Sequence, residues 1–353
     1  MGIGEMASKT KVVCDFFPCF VTPTETLLSL LFFSIIFNNH FPSLVWPVLD
    51  REPSTLLQEK KVALKTIRWE HDYDERNFHR HIRDAIVSER LSSSPRVTSM
   101  YAFCGNSGYY DFAGGGSLSD RLEEHWGALD SIANEEGGRD QNVIQGLLSQ
   151  YDKLSLAYEA ANALSDLHDT DAMRDKNGEI ISASMVHADI TADQFIIIDG
   201  GYKLNDFNRC RFMRSYRGTA KSEGGDGKPC GFYVGSNPGT NRSPEEYAYE
   251  EETEKVDIYS LGNVFYMVLT DEIAFDDMSS KKATKAIQNG ERAEIPSNIL
   301  SSNDPVNVAL RTVVKQCWEQ DPKDRPRARA LADYLHKELQ ALDKSKEKIA
   351  KEQ

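Results

Sequence analysis

The sequence predicts a mixed α+β fold, and three segments carry that expectation. Lys61-Val62-Ala63-Leu64-Lys65-Thr66-Ile67 alternates apolar and polar residues as a half-buried strand does. His187-Ala188-Asp189-Ile190-Thr191-Ala192-Asp193-Gln194 reads as a loop that runs into the apolar β-branched strand Phe195-Ile196-Ile197-Ile198. A Gly200-Gly201 turn then leads to a second strand ending in Leu204-Asn205-Asp206-Phe207-Asn208. Val256 to Thr270 is apolar nearly all round, as a helix buried in a domain core must be.

The remaining elements follow in chain order. Leu27 to Phe37 is an apolar run of eleven residues, flanked by Asn38-Asn39-His40 and broken further on by Pro42 and Pro47, which is short for a membrane span. Its distance from the N-terminus and the lack of a small-residue cleavage site do not fit a signal peptide, and Met6 does not fit a myristoylation signal. Asp74 to Ser92 carries helix-spaced apolar residues at Phe78, Ile82, Ala85, Ile86 and Leu91. His71, His79 and His81 lie in this charged segment without a paired cysteine, so a solvated face is expected rather than a metal site. Tyr110 to Asp120 reads as a strand, a glycine turn at Gly114 to Gly116 and a helix start capped by Ser117. Asp169 to Met185, with its Asp-Lys-Asn-Gly turn composition, is expected as a surface excursion, and Lys221 to Lys228 as a glycine-rich one. From Leu331 the chain continues helical and highly charged.

Composition bounds the function. The chain has 353 residues, 40% hydrophobic and 27% charged, which is enough for a large core. A formal charge of −14 argues against nucleic acid as the main partner, because phosphate binding needs a basic face. The six cysteines, at 14, 19, 104, 210, 230 and 317, include no C-x-x-C pair. Neither a zinc site nor a disulfide framework is suggested, and a reducing compartment fits best. The informative chemistry is the pair of carboxylates, Asp189 and Asp206, that the hairpin brings together at its ends. Such a pair suits one base near a hydroxyl and one ligand for magnesium.

This hairpin resembles the catalytic hairpin of protein kinases, in which an H-R-D-x-x-x-x-N loop is followed by D-F-G. Other segments are similar to that family's elements in order and spacing. Lys61 to Ile67 looks like its V-A-I-K strand, Ser243-Pro244-Glu245 its A-P-E element, and Cys317-Trp318 with Asp321-Pro322 and Arg325-Pro326 its late signature. The resemblance covers about residues 55 to 342 and leans towards the tyrosine-kinase-like branch. It implies a two-lobed fold, with a small β-rich N-lobe bearing one helix, αC, and a larger, mainly helical C-lobe. Residues 1–54 are then an N-terminal extension and 343–353 a charged tail.

The resemblance also implies roles. Lys65 would grip the α- and β-phosphates of ATP, with Asp84 of αC as its acidic partner and Glu89 as the alternative. Tyr110 would be the gatekeeper, with Asp111 and Ala113 offering backbone contacts to adenine. Asp189 would be the catalytic base or orienter, Asp206 the principal Mg2+ ligand, and Gln194 a second. Asp257 would hold the catalytic-loop backbone, Glu245 would pair with Arg325, and His187 would pack with Phe207. The implied activity is transfer of the ATP γ-phosphate to protein Ser or Thr hydroxyls, in preference to Tyr. The implied location is cytoplasmic, with membrane association through the N-terminal apolar run as the alternative.

Departures from the pattern set a second expectation. Ala188 stands for the Arg, Gln194 for the Asn and Asn208 for the Gly, while Thr191 and Asp193 stand where a phosphate-facing cation is expected. Asn208 is expected to keep the turn because Asn tolerates left-handed backbone. Phe41 to Lys60 contains no glycine where the phosphate-covering loop belongs. The alternative reading is a pseudokinase, a protein-binding module that transfers phosphate poorly or never.

Overall fold

The computed structural model describes residues 43–50, 60–67, 74–135, 148–215, 229–235 and 237–352. The apolar run 27–37 and the insertion 221–228 lie outside the described residues. Among the described residues no helix is long and apolar enough to cross a membrane. The chain divides into two compact units, residues 1–89 with 99–112, and residues 90–98 with 113–353.

The first unit is built on an antiparallel sheet of four strands in the order β1-β2-β4-β3. These are β1 (Ser43–Asp50), β2 (Lys60–Ile67), β3 (Met100–Cys104) and β4 (Ser107–Asp111). β1, which sequence reading left in the N-terminal extension, pairs with β2 along its whole length, from Ser43↔Ile67 to Asp50↔Lys60. The 51–59 segment joining them, which lacks glycine, lies outside the described residues. Val62, Ala63 and Ile67 of β2 are buried. Gly105, at φ +60, starts the β3–β4 turn.

Helix α1 (Glu75–Arg90) opens where Asp74 Oδ1 accepts the Asn77 N–H at 2.7 Å, satisfying one of the end donors. Its buried residues include His81, Asp84, Ala85 and Ser88, one stripe at helical spacing. His81 therefore belongs to the packed face and not to a solvated one, whereas His79 is exposed as expected.

The second unit is mainly helical. Its helices are α2 (Leu118–Glu135), α3 (Gln150–Asp169), α4 (Pro244–Ala248), α5 (Lys255–Thr270), α6 (Ser280–Gln288), α7 (Ser297–Leu300), α8 (Pro305–Cys317) and α9 (Ala328–Glu352). Ser149 caps α3 by accepting the Asp152 N–H. α3 packs against α9, α8 and α5, so Leu154, Ala157, Ala161, Leu164 and Leu167 are buried around its circumference. α5 is buried nearly all round, as its composition requires. It meets α8 closely at Gly262, where a Cβ would lie 2.7 Å from Cys317 Cβ and 2.8 Å from Trp318 Cδ1.

Short strands complete the unit. β5 (Met173–Arg174) and β6 (Ile180–Ser182) form a hairpin in the expected surface excursion, turned at Gly178 with φ +86. β7 (Met185–Val186) pairs with β10 (Arg211–Phe212), and β11 (Arg214–Ser215) with β12 (Pro229–Cys230). Between them stands the central hairpin, β8 (Phe195–Ile198) against β9 (Gly201–Leu204), in register Phe195↔Leu204 to Ile198↔Gly201. Its turn is Asp199-Gly200, with φ +52 and +83, and not Gly200-Gly201. Two positive φ values define a type I′ turn, whose twist matches that of the strands, and Asp-Gly is its preferred chemistry.

Glu245 and Arg325 are joined by two parallel hydrogen bonds, Nη1 to Oε1 at 2.6 Å and Nη2 to Oε2 at 2.8 Å. Arg325 is 1% exposed, and its other donors reach the carbonyls of Glu319, Lys255 and Gln320. Such a pair offsets its desolvation only because every donor is used. Arg325→Ala would strand the Glu245 carboxylate in the interior and should cost about 3–5 kcal/mol in urea unfolding. A double-mutant cycle with Glu245→Ala checks the pairing. Strictly additive losses would contradict it.

Candidate active site

The loop before β8 is held by a carboxylate beneath it. Asp257, in the first turn of α5 and 1% exposed, accepts the backbone N–H groups of His187 and Ala188, each at 2.7 Å. His168 Nε2 lies 2.9 Å from the same carboxylate, a third contact that no motif announces. Ala188 takes left-handed backbone with φ +58, unusual for alanine, and these bonds help to hold it there.

His187 ties this loop to the end of β9. Its Nε2 sits 3.1 Å from the Asn205 carbonyl, and its ring meets Phe207 edge-on at 5.4 Å between centroids. A core histidine with a structural bond fits better than a catalytic one. The ladder extends one residue beyond Phe195↔Leu204, because the Asn205 N–H donates to the Gln194 carbonyl at 2.9 Å. Gln194, 3% exposed, thus lies across from the residue before Asp206.

Asp206 has φ +60 and ψ +73, and its Oδ1 accepts the Asn208 side-chain amide at 2.6 Å. The left-handed position is therefore Asp206. Asn208 sits in the 3-10 turn Phe207–Arg209, so its tolerance of αL, expected to preserve the turn, is not what this conformation uses. Asp189 meets two cations. Arg242 Nη2 donates to its Oδ1, and Arg209 Nε is 3.8 Å from the same oxygen. Arg242 Nη1 also donates to the Ala188 carbonyl at 2.9 Å.

In the other unit, Lys65 Nζ of β2 is 2.8 Å from Asp84 Oδ2 of α1, and Glu89 is exposed. The Tyr110 hydroxyl donates to the same Oδ2 at 3.2 Å. Gly108 makes room for that ring, since a Cβ there would be 2.6 Å from Tyr110 Cε2. Asp111 N–H donates to the Ser99 carbonyl, and its carboxylate accepts Ser99 N–H and the Tyr101 hydroxyl.

Ala113 belongs to the second unit, where its carbonyl accepts the Gly116 N–H. The following glycines form a fitted turn. A Cβ on Gly115 would lie 2.7 Å from Ile197, and Gly116 has φ +74. Ser117 then caps α2 reciprocally with Asp120, as its sequence suggests.

Each unit carries its own donor chemistry. In the second unit Asp206 and Gln194 are hard oxygen donors of the kind magnesium takes, and in the first Lys65 is a cation paired with the Asp84 carboxylate. No group of three or more His, Cys, Asp or Glu that could hold a metal occurs among the described residues. Sequence reasoning missed Arg242, Arg209, His168 and the Tyr110 hydroxyl. None lies in a local pattern that names its partner.

A family model described as protein tyrosine and serine/threonine kinase matches residues 50–335. A probable serine/threonine-protein kinase from Dictyostelium discoideum is 26% identical over 280 residues, covering 76% of this chain and 27% of its own length. The serine/threonine-protein kinase CTR1 of Arabidopsis thaliana is 24% identical over 212 residues, 59% of this chain and 21% of its own length. The ephrin type-A receptor 4-B of Xenopus laevis is 28% identical over 156 residues, 44% of this chain and 14% of its own length. The chain thus spans about a quarter or less of these curated relatives.

Two buried glutamates, Glu246 beside Arg242 and Glu252 at the Val234 N–H, are expected to make stability depend on pH. Burial pushes Glu246 up to about 7, against the Arg242 charge and the Ser243 hydrogen bonds, with the Glu252 charge adding to the rise. Burial likewise pushes Glu252 up to about 7, against the Val234 N–H and Arg211, with Glu245 adding. Because both folded values exceed the ordinary 4.5, their contribution is complete below that pH and is lost as pH rises through about 7. Urea unfolding between about pH 5 and 8 should show Glu252→Gln flattening part of the fall seen in the parent. An unaltered slope would contradict the shift.

Proposed function

We propose that this chain, which belongs to the protein tyrosine and serine/threonine kinase family, transfers the γ-phosphate of ATP to Ser or Thr hydroxyls of proteins, Tyr being the less favoured acceptor. The observation that carries the proposal is the Lys65–Asp84 pair, 2.8 Å apart with side chains 12% and 3% exposed. An ammonium held by a buried carboxylate is a fixed point charge suited to phosphate oxygens. The serine/threonine names of two of the relatives support the acceptor class.

Bound ATP would supply the phosphoryl group, and Mg2+ the positive charge that offsets its oxygens. The chain's own residues bind and orient. Lys65 holds phosphate oxygens, with Asp84 and the Tyr110 hydroxyl fixing its direction. The backbone at Asp111 and Ala113 holds adenine, and the Asp111 N–H is itself engaged with the Ser99 carbonyl. Asp206 and Gln194 supply metal ligands. Asp189 accepts a hydrogen bond from the substrate hydroxyl and takes its proton as transfer proceeds.

A second reading, a pseudokinase that holds a partner protein, is favoured by two observations. Residues 41–60 contain no glycine, and Gln194 stands where the metal-binding Asn is expected.

Titration with ATP and magnesium in a thermal-unfolding assay separates nucleotide binders from non-binders. Ligand at about 100 times its Kd raises stability by about 2.7 kcal/mol. Lys65→Ala should abolish the shift, and an unchanged shift would remove Lys65 from the site.

Gln194→Asn bears on transfer itself. The Gln amide oxygen stands about one bond length further from the backbone than an Asn oxygen would, so shortening it should raise phosphorylation rates, most at low magnesium. Equal or lower rates at every magnesium concentration would show that Gln194 is adapted to its place.

A further inference from the structure

We infer that Arg242 is a positioning residue for Asp189: its guanidinium fixes the Ala188 carbonyl and one carboxylate oxygen of Asp189, leaving the other oxygen for the substrate hydroxyl. The inference deepens the kinase reading and rests on it for its chemistry. From Ala188 to Gln194 the catalytic loop contains no Lys or Arg, so any cation that orients Asp189 must come from elsewhere in the fold.

Arg242 is delivered by a segment pinned on both sides. Its own N–H donates to the Tyr247 hydroxyl at 3.3 Å, and that hydroxyl donates to the Gly239 carbonyl at 2.6 Å. The next residue, Ser243, forms a capping box with Glu246 at the start of α4, through Ser243 N–H at 2.7 Å and Oγ at 2.9 Å to Glu246 Oε2. The side chain is 4% exposed, with Glu246 Oε1 3.8 Å from Nη1. Its Nε–H is buried without a partner among the described residues. The side chain thus leaves one donor unsatisfied while its two terminal nitrogens serve the catalytic loop.

The targets explain the choice of arginine. Ala188 adopts φ +58, and both of its backbone polar groups are held by charged side chains, the N–H by Asp257 and the carbonyl by Arg242. One planar fork reaches that carbonyl and the adjacent carboxylate together, which a lysine ammonium cannot match in geometry. Arg242 and Arg209 both approach Asp189 at Oδ1, and among the described residues no hydrogen bond falls on Oδ2.

The test uses the full chain, with parent, Arg242→Gln and Arg242→Lys compared in two assays. In native-state hydrogen exchange, Arg242→Gln should speed exchange of the catalytic-loop amides about tenfold or more while the β8–β9 amides keep the parent's rates. In steady-state kinetics with ATP, magnesium and dephosphorylated casein, kcat should fall about tenfold or more with the KM for ATP nearly unchanged, and Arg242→Lys should recover part of the loss. Should the Gln variant fail to fold, the Lys variant, which keeps the buried charge, should give intermediate values in both assays. Exchange that is unchanged, or raised equally everywhere, overturns the inference, as does local loosening with undiminished turnover. If the parent itself does not phosphorylate casein, the kinase reading falls. The exchange assay then still decides whether Arg242 fixes the loop.

Discussion

Asp257 is buried in the first turn of α5 and accepts hydrogen bonds from two consecutive backbone amides, with His168 against the same carboxylate. Taking a carboxylate out of water costs several kcal/mol, so a buried aspartate persists only where its acceptor sites are filled. Here the charge-assisted bonds and the α5 N-terminus offset that cost, and the loop gains a fixed path. The left-handed turn at Ala188 follows, and with it the direction of His187, whose ring reaches both Asn205 and Phe207. The two candidate carboxylates, Asp189 and Asp206, flank those contacts. Asp257 touches neither, yet the placement of both depends on it.

A second constraint is the five-residue helix α4. So short a segment has no intrinsic helical stability, and its form is imposed from outside. Two adjacent glutamates do this with different partners. Glu245 is locked to Arg325, while Glu246 closes the capping box and faces Arg242. Burial raises Glu246 well above the ordinary carboxylate range, whereas Arg242 is held charged against its own burial by Asp189 and Glu246. The short helix therefore couples the architecture around Arg325 to the carboxylate at Asp189.

What the sequence made legible was local. The strand carrying Lys65, the Asp84-bearing helix, the β8–β9 hairpin and the buried helix α5 each show a pattern confined to a few residues. The Glu245–Arg325 pair was readable across 80 positions only because each partner sits in a recognisable motif. Contacts without such markers were not readable. Arg242 and Asp189 are 53 residues apart, and His168 and Asp257 are 89 apart, with nothing in either neighbourhood to specify the other. The hairpin turn moved by one residue because Asp-Gly and Gly-Gly are both turn dipeptides, and only the register decides between them. His81 was misread because a histidine in a charged segment gives no sign of the face on which it lies.

The two carboxylates at the ends of the hairpin each accept a side-chain donor, and the two donors differ in kind. Asp189 is gripped by a guanidinium, Asp206 by the neutral amide of Asn208 at 2.6 Å. For a carboxylate that directs a hydroxyl and receives its proton late, an ion pair at one oxygen is tolerable, because direction matters more than basicity. A metal ligand is different. Its attraction for Mg2+ is largely charge, and a cation on one oxygen would cancel much of it. The Asn208 amide is neutral and itself takes nothing from that charge. Asn208 thus does by side chain what backbone freedom at a glycine would not do, and the D-F-N sequence is chemically compatible with a magnesium ligand at Asp206.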